Sequence, residues 1–503
     1  MKFFTALLIS AFILPIAGIA QRITYSLPER DDTRTLNFEI VGKIGGNFLV
    51  YKNIRSKNAI SVYDSDMQLK ERVDLDFIPD KTVNVDFISY PDYAYMIYQY
   101  QKRNVLYCMG VKLNGMGKQI GEPVQLDTTY INVFADNKIY STIYSEDKQH
   151  IMIFKIQKKN DKFNFTTLLF NPQLQVQHKS RWLVPYDDRR DVYSDFFVDN
   201  EGNFVFAKSE KGGPRELIDK VFIVTKAPLL DTLAVIPVNL NNYYLDEVKL
   251  KVDNVNKRIL LNSFFYRQKR GNIEGLYIAV WDKETKKQIV ENTIKFNDTL
   301  KQEAKMKGSL KLAFNDFFIN QVILKKDGGF ILTGEDHYTQ SRSNPWNRLD
   351  YLYGYSSLSS YNYYQYSPLG YWYRPRGFYN SNTQTRYYYD NILVMNIDKD
   401  GKLLWSNVLH KSQYDDETDN FLSYQIMNEG DELHFLFNEL ERRNQLIADQ
   451  SITSDGRLIR NPTLKSLDKG YQFMPRFAKQ VSARQIIIPC TLRNSICFAK
   501  IDY

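Results

Sequence analysis

From Arg22 onward apolar and polar residues alternate over short runs, and nearly every run ends in a cluster of Gly, Asn, Asp, Lys or Pro. A period of two bounded by turn residues predicts short β-strands joined by tight connections. One hairpin recurs: "IVGKIGGNFLVYKN" from Ile40, "VDFISYPDYAYMIYQY" from Val85, "INVFADNKIYSTIY" from Ile131, "FFVDNEGNFVFAKSE" from Phe196, "VKLKVDNVNKRILLNSFF" from Val248, "VILKKDGGFILTGE" from Val322, "YQIMNEGDELHFLFN" from Tyr424 and "FMPRFAKQVSARQIIIPC" from Phe473. Gly, Asn and Asp at the tips supply the positive φ that such turns need.

A second hairpin follows many of these, as in "AISVYDSDMQLKERVDL" from Ala59, "LYIAVWDKETKKQIVENTI" from Leu276, "NILVMNIDKDGKLLWSNVL" from Asn391 and "LIADQSITSDGRLIRNPTL" from Leu446. A repeated unit of four antiparallel strands predicts an all-β chain folded as a single β-propeller, residues 21–503. The recurring hairpins favour eight blades. Seven is the alternative, because Ile151–Pro185 holds one strand more than the pattern needs. The final unit runs out of chain after three strands, and "RITYSL", Arg22–Leu27, is placed to supply the fourth. The expectation is closure by an N-terminal strand joining the C-terminal blade, which removes an exposed sheet edge.

"VMNIDKDGKLLW", Val394–Trp405, resembles the blade signature of quinoprotein-type (PQQ-like) propeller repeats, and "VWDKETKKQIVEN" is a degraded copy without its Gly and Trp. The resemblance implies architecture. A quinone enzyme is expected to carry many such copies together with metal and quinone ligands, which cannot be identified here, so no cofactor and no metal site are assigned.

Residues 338–390 interrupt one unit between its second and third strands and contain "YLYGYSSLSSYNYYQYSPLGYWYRPRGFY". In a four-stranded blade that connection shares a face with the crossovers to the next blade. The crossovers are acidic, with Asp31 and Asp32; Asp187, Asp188 and Asp191; Asp246 and Glu247; and Asp415, Asp416, Glu417 and Asp419. The other second-to-third-strand loops are basic, as at Lys102–Arg103 and Arg267–Arg270. Tyr combines a broad apolar body with a polar tip, and Tyr, Ser, Gly and Asn together suit binding loops. Candidate ligand-binding residues are therefore Trp346, Tyr351, Tyr353, Tyr363, Tyr366, Tyr371, Trp372, Tyr373, Arg374 and Arg376, with Asp187, Asp188, Asp191, Asp415, Asp416, Glu417 and Asp419 beside them. A lid or plug making only internal contacts is the alternative reading of the loop, and disorder a third.

The opening "MKFFTALLISAFILPIAGIAQ" has a basic start, an apolar core and small residues before Gln21, which predicts a signal peptide over 1–20 and export to the periplasm or beyond. No later apolar run predicts a membrane span. The net charge of +8 is spread among 66 basic and 58 acidic residues without a block, so a nucleic-acid partner is not expected. The three cysteines are too few for a disulfide framework. A two-residue turn at Arg493–Asn494 would still set Cys490 opposite Cys497, close enough for a bridge; the alternative is two buried thiols. No nucleophile elbow, phosphate loop or zinc spacing occurs, and no catalytic residue is assigned. The resulting expectation is an exported binding or scaffold module for an envelope protein or an extracellular glycan. Its rivals are a glycan-active enzyme using acids near a central pocket, and a purely structural part of an envelope assembly.

Overall fold

The computed structural model describes residues 21–29, 36–54, 57–79, 82–131, 138–305, 313–341, 345–353, 385–416, 418–441, 444–462, 470–493 and 495–503. The expected signal peptide lies outside the described residues, as do Asp31 and Asp32.

The first unit shows why these segments become strands. Leu36–Ile44, Asn47–Ile54, Lys57–Tyr63 and Leu69–Asp74 pair in chain order as an antiparallel meander. The turn between the first two strands is Gly45–Gly46, both at positive φ. The second and third strands are near-continuous apolar runs buried on both faces, whereas the fourth, "LKERVD", meets solvent. Similar four-strand meanders span 82–130, 140–185, 191–238, 249–295, 317–409 and 424–460. The runs 191–238 and 249–295 merge into one nine-stranded sheet through the two-residue strand Tyr244–Leu245.

The last unit uses Lys479–Ser482, Gln485–Leu492 and Ser495–Asp502, and its outer strand is Arg22–Tyr25. The register runs from Arg22 opposite Asp502 to Tyr25 opposite Ala499. Just after it, Glu29 receives Lys52 Nζ at 2.6 Å, tying this N-terminal segment to the first unit.

Apolar clusters lie between sequence-adjacent units. Tyr51, Ile60 and Val62 of the first pack on Val85, Met96 and Val111 of the second. Phe264, Leu276 and Ile278 pack on Phe317, Leu332 and Leu393, and Val394 packs with Phe435 and Ala448. One cluster joins the two ends of the series: Phe38, Phe48 and Tyr63 of the first unit pack on Ile487, Ile496 and Phe498 of the last. The architecture is all-β and β-propeller-like.

One expected hairpin is displaced. Residues 132–137, its proposed turn, lie outside the described residues, and Tyr140–Tyr144 pairs not backward but forward with Ile151–Lys159. The connecting loop is held by side chains instead of glycine: Ser145 Oγ donates to Asp147, His150 N–H donates to Ser145 Oγ, and Lys148 takes φ +55°. The apparent surplus strand in 151–185 is thereby absorbed into a four-strand unit.

Cys490 does stand opposite Cys497. Both are buried thiols with their Sγ atoms 2.8 Å apart, so the bridge is not formed in this structure. No helix among the described residues is long and apolar enough to cross a membrane.

Candidate functional site

The interrupted unit has unusually long second and third strands, Phe330–Ser341 and Thr385–Ile397. Beyond a bulge near Asp336 they continue as a stem, pairing His337 with Tyr389 out to Ser341 with Thr385. Gln413–Asp415, from the following crossover, adds a third strand along Tyr387–Tyr389. The ends of the 338–390 insertion are therefore strand.

Register across this stem lines up three tyrosines. Tyr338 is opposite Tyr388, and Tyr388 is opposite Tyr414. The Tyr338 and Tyr388 rings stack at 4.5 Å, and Tyr414 follows at 6.2 Å. The Arg386 guanidinium sits 4.9 Å over the Tyr414 ring while pairing with Asp416. Tyr388 donates its hydroxyl to Gln340 Oε1 at 3.1 Å, and Tyr414 is 61% exposed. Tyr338 and Tyr388 are stacked, Tyr414 is tilted against Tyr388, and the exposed Tyr414 ends the row.

The described part of the loop itself folds down onto the sheets. Trp346 Nε1 donates to Asp316 Oδ1 at 2.8 Å. A short helix, Arg348–Tyr353, is capped by Asn347, whose Oδ1 accepts the Asp350 N–H. Tyr351 packs against Phe318 and His337 at ring distances of 5.0 and 5.1 Å, and Lys211 Nζ lies 4.5 Å above the Tyr353 ring. Trp346, Tyr351 and Tyr353, expected to meet a ligand, make contacts within the chain. Tyr363, Tyr366, Tyr371, Trp372, Tyr373, Arg374, Arg376 and Glu417 lie outside the described residues.

The acidic candidates are engaged locally. Asp187 Oδ1 accepts the Arg189 N–H, and the Asp187 N–H donates to Asp191 Oδ2. Asp188 faces Lys158 at 3.4 Å. Asp191 is buried, which pushes its carboxyl above the usual range against the pull of that N–H and Lys208. Asp415 Oδ1 accepts the Thr418 N–H. Hydrogen bonds from Arg386 hold the Asp416 carboxyl below its usual range. Asp419 meets Arg476 at 2.6 Å and the Tyr389 hydroxyl at 3.1 Å.

A second polar group was not singled out from the sequence. Glu39, Asp86 and Lys138 lie on or just before the first strands of three successive units, and Lys479 begins the last unit. Burial pushes Glu39 up to about 7, opposed by Lys479 and reinforced by Asp86. Burial likewise raises Asp86 and lowers Lys138. Glu39 is only half-buried by surface exposure, so the chain crowds it without sealing it from water. Asp195, on the fourth unit's first strand, is raised by burial to about 6 and accepts the Leu250 N–H. The signal available in the sequence was a lone carboxylate inside the apolar first strands of the first two units, in "NFEIV" and "NVDFI".

No protein-family model matches the sequence, quinoprotein-type repeats included, and no curated protein matches it. In structure the chain is similar to a PL25 ulvan lyase bound to -[GlcA(1-4)Rha3S]-, at 10% identity and TM-score 0.36 over 83% of this chain and 92% of that one. The polysaccharide lyase Uly1 is similar at 9% identity and TM-score 0.38, over 84% and 90%. Prolyl oligopeptidase B from Galerina marginata is similar at 8% identity and TM-score 0.41; the match covers 92% of this chain and 56% of that one. At these identities and TM-scores the likenesses carry no argument.

Proposed function

We propose that the chain is an exported, single β-propeller of eight four-stranded blades that binds an extracellular glycan on the face bearing the insertion. The eight-bladed ring is supported by the apolar clusters between neighbouring units, above all the one joining first to last, and by the Arg22–Tyr25 strand beside Ser495–Asp502. Export rests on the leader-like residues 1–20.

The observation that carries the binding reading is the row Tyr338–Tyr388–Tyr414 with Arg386 on a three-stranded stem. Strand pairing fixes these side chains before any ligand arrives, so little entropy is lost on binding. Phenol rings offer apolar area with hydroxyl tips, a match for a hydroxyl-rich polymer. Binding is favoured over catalysis at the outer acids because turn N–H groups or cations already hold them.

The test is a glycan screen with wild type and Tyr414→Ala. The reading expects capture of at least one polysaccharide and at least a tenfold loss in the variant at unchanged melting temperature. Capture of an envelope protein, with no glycan bound, would replace it.

A second reading has one observation of its own. Glu39, raised to about 7 beside Asp86, has the protonation range of a general acid near neutral pH. Turnover of a polysaccharide that Glu39→Gln abolishes would establish this glycan-active alternative.

A further inference from the structure

The segment 345–353 is held by a cleft built from three units. Asp246, fully buried, receives Arg348 Nε at 2.6 Å and the Tyr266 hydroxyl at 2.6 Å on the same oxygen, Oδ2. The guanidinium lies 3.9 Å over the Phe318 ring, Trp346 reaches Asp316, and Tyr353 packs against the apolar cluster of Ile218, Leu245 and Phe265. A six-residue helix has no stability of its own, so the cleft imposes this shape.

The fit is incomplete. Asp246 Oδ1, Arg348 Nη2 and the Tyr353 hydroxyl are buried without a hydrogen-bond partner among the described residues. Arg348 thus approaches side-on through one N–H, where a guanidinium and a carboxylate can form two parallel bonds. Three unmet polar groups in one small cluster are a standing cost that a better-seated guest would remove. The buried carboxylate also restricts what that guest can be, because leaving Asp246 without a cation is strongly unfavourable.

We propose that this cleft is a recognition site for an arginine-bearing aromatic peptide segment, and that residues 345–353 occupy it as an internal stand-in. A partner enters by replacing Arg348 with its own guanidinium, laid over Phe318 and bonded to both Asp246 oxygens. Any such exchange releases the root of the insertion, so peptide capture and the arrangement of the stem are coupled. The inference stands on the cleft alone and does not need the glycan reading.

The probe is a labelled synthetic peptide of sequence PWNRLDYLY, which copies residues 345–353. It is titrated into the full chain as wild type, Arg348→Ala, and Arg348→Ala combined with Asp246→Asn. Arg348→Ala should bind it at least tenfold more tightly than wild type. The double variant, and the same peptide with its arginine replaced by alanine, should lose that gain. Equal binding by wild type and Arg348→Ala, or binding that ignores the peptide's arginine, overturns the proposal. If Arg348→Ala is too unstable to titrate, millimolar ethylguanidinium gives a second readout. It should raise that variant's melting temperature by several degrees more than that of the double variant, and equal shifts count against the site.

Discussion

Arg476 places Nη1 2.6 Å from Asp419 Oδ2, and the same oxygen accepts the Tyr389 hydroxyl at 3.1 Å. Tyr389 belongs to the stem, Asp419 to the next crossover and Arg476 to the approach to the last unit, so one carboxylate pins three separate segments. Both ionic partners are largely buried, with side chains 9% and 15% exposed. Removing one partner of such a pair leaves an uncompensated charge. Asp419→Ala should cost about 3 kcal/mol in denaturant unfolding, and Arg476→Met with Asp419→Leu together should cost less than either single change.

Glu39 sets a pH dependence of definite sign. Its carboxyl lies at about 7 in the folded chain against an ordinary 4.5, so folding favours the protonated form. The stability linked to it is fully present below about pH 4.5 and is lost as pH rises through about 7. Glu39→Gln should therefore raise the melting temperature relative to wild type at pH 8 and leave it unchanged at pH 4, read by thermal unfolding in matched buffers. A larger gain at pH 4 than at pH 8 would contradict the assignment.

His434 runs on a different clock. Burial opposes its charged form, but Asp449, Glu429 and Glu432 outweigh that and hold the imidazolium above its usual range. Its Nδ1 lies 3.0 Å from Asp449, and its ring lies 4.5 Å from that of Tyr503, tilted at 59°. A raised folded pKa means stability present below about 6.5 and lost as pH climbs through the folded value. His434→Asn should destabilise the chain at pH 5.5 more than at pH 9.

Cys490 and Cys497 lie 2.8 Å apart at sulfur and need little movement to bond. In protein taken from an oxidising compartment and alkylated after denaturation, one thiol per chain should react, and three after reduction. Bridging so short a loop should add on the order of 2 kcal/mol.

Much of this arrangement could be read from local pattern. Gly328, Gly401 and Gly430 each mark a hairpin tip at positive φ, and the two-residue turn before Ser495 placed the cysteines opposite each other. The Ser145–His150 turn was missed because serine and aspartate side chains do there what glycine does elsewhere, and composition alone does not reveal a side-chain-braced loop. The site was harder still. Arg348 and Asp246 are 102 positions apart, and their pairing exists only once neighbouring units stand side by side. The tyrosines between Tyr351 and Tyr379 drew attention by number, whereas the stem row at Tyr338, Tyr388 and Tyr414 is defined by register, which is a product of folding.

The pairing of Arg22 with Asp502 has a consequence for biosynthesis. Arg22–Tyr25 leaves the ribosome long before Ser495–Asp502 and must wait, unpaired, for it, so this sheet is completed after the units that lie between them and is slow by topology. Moving residues 21–29 to follow Tyr503 through a short linker would turn that longest wait into a local hairpin, and such a rearranged chain should refold faster while reaching the same end state.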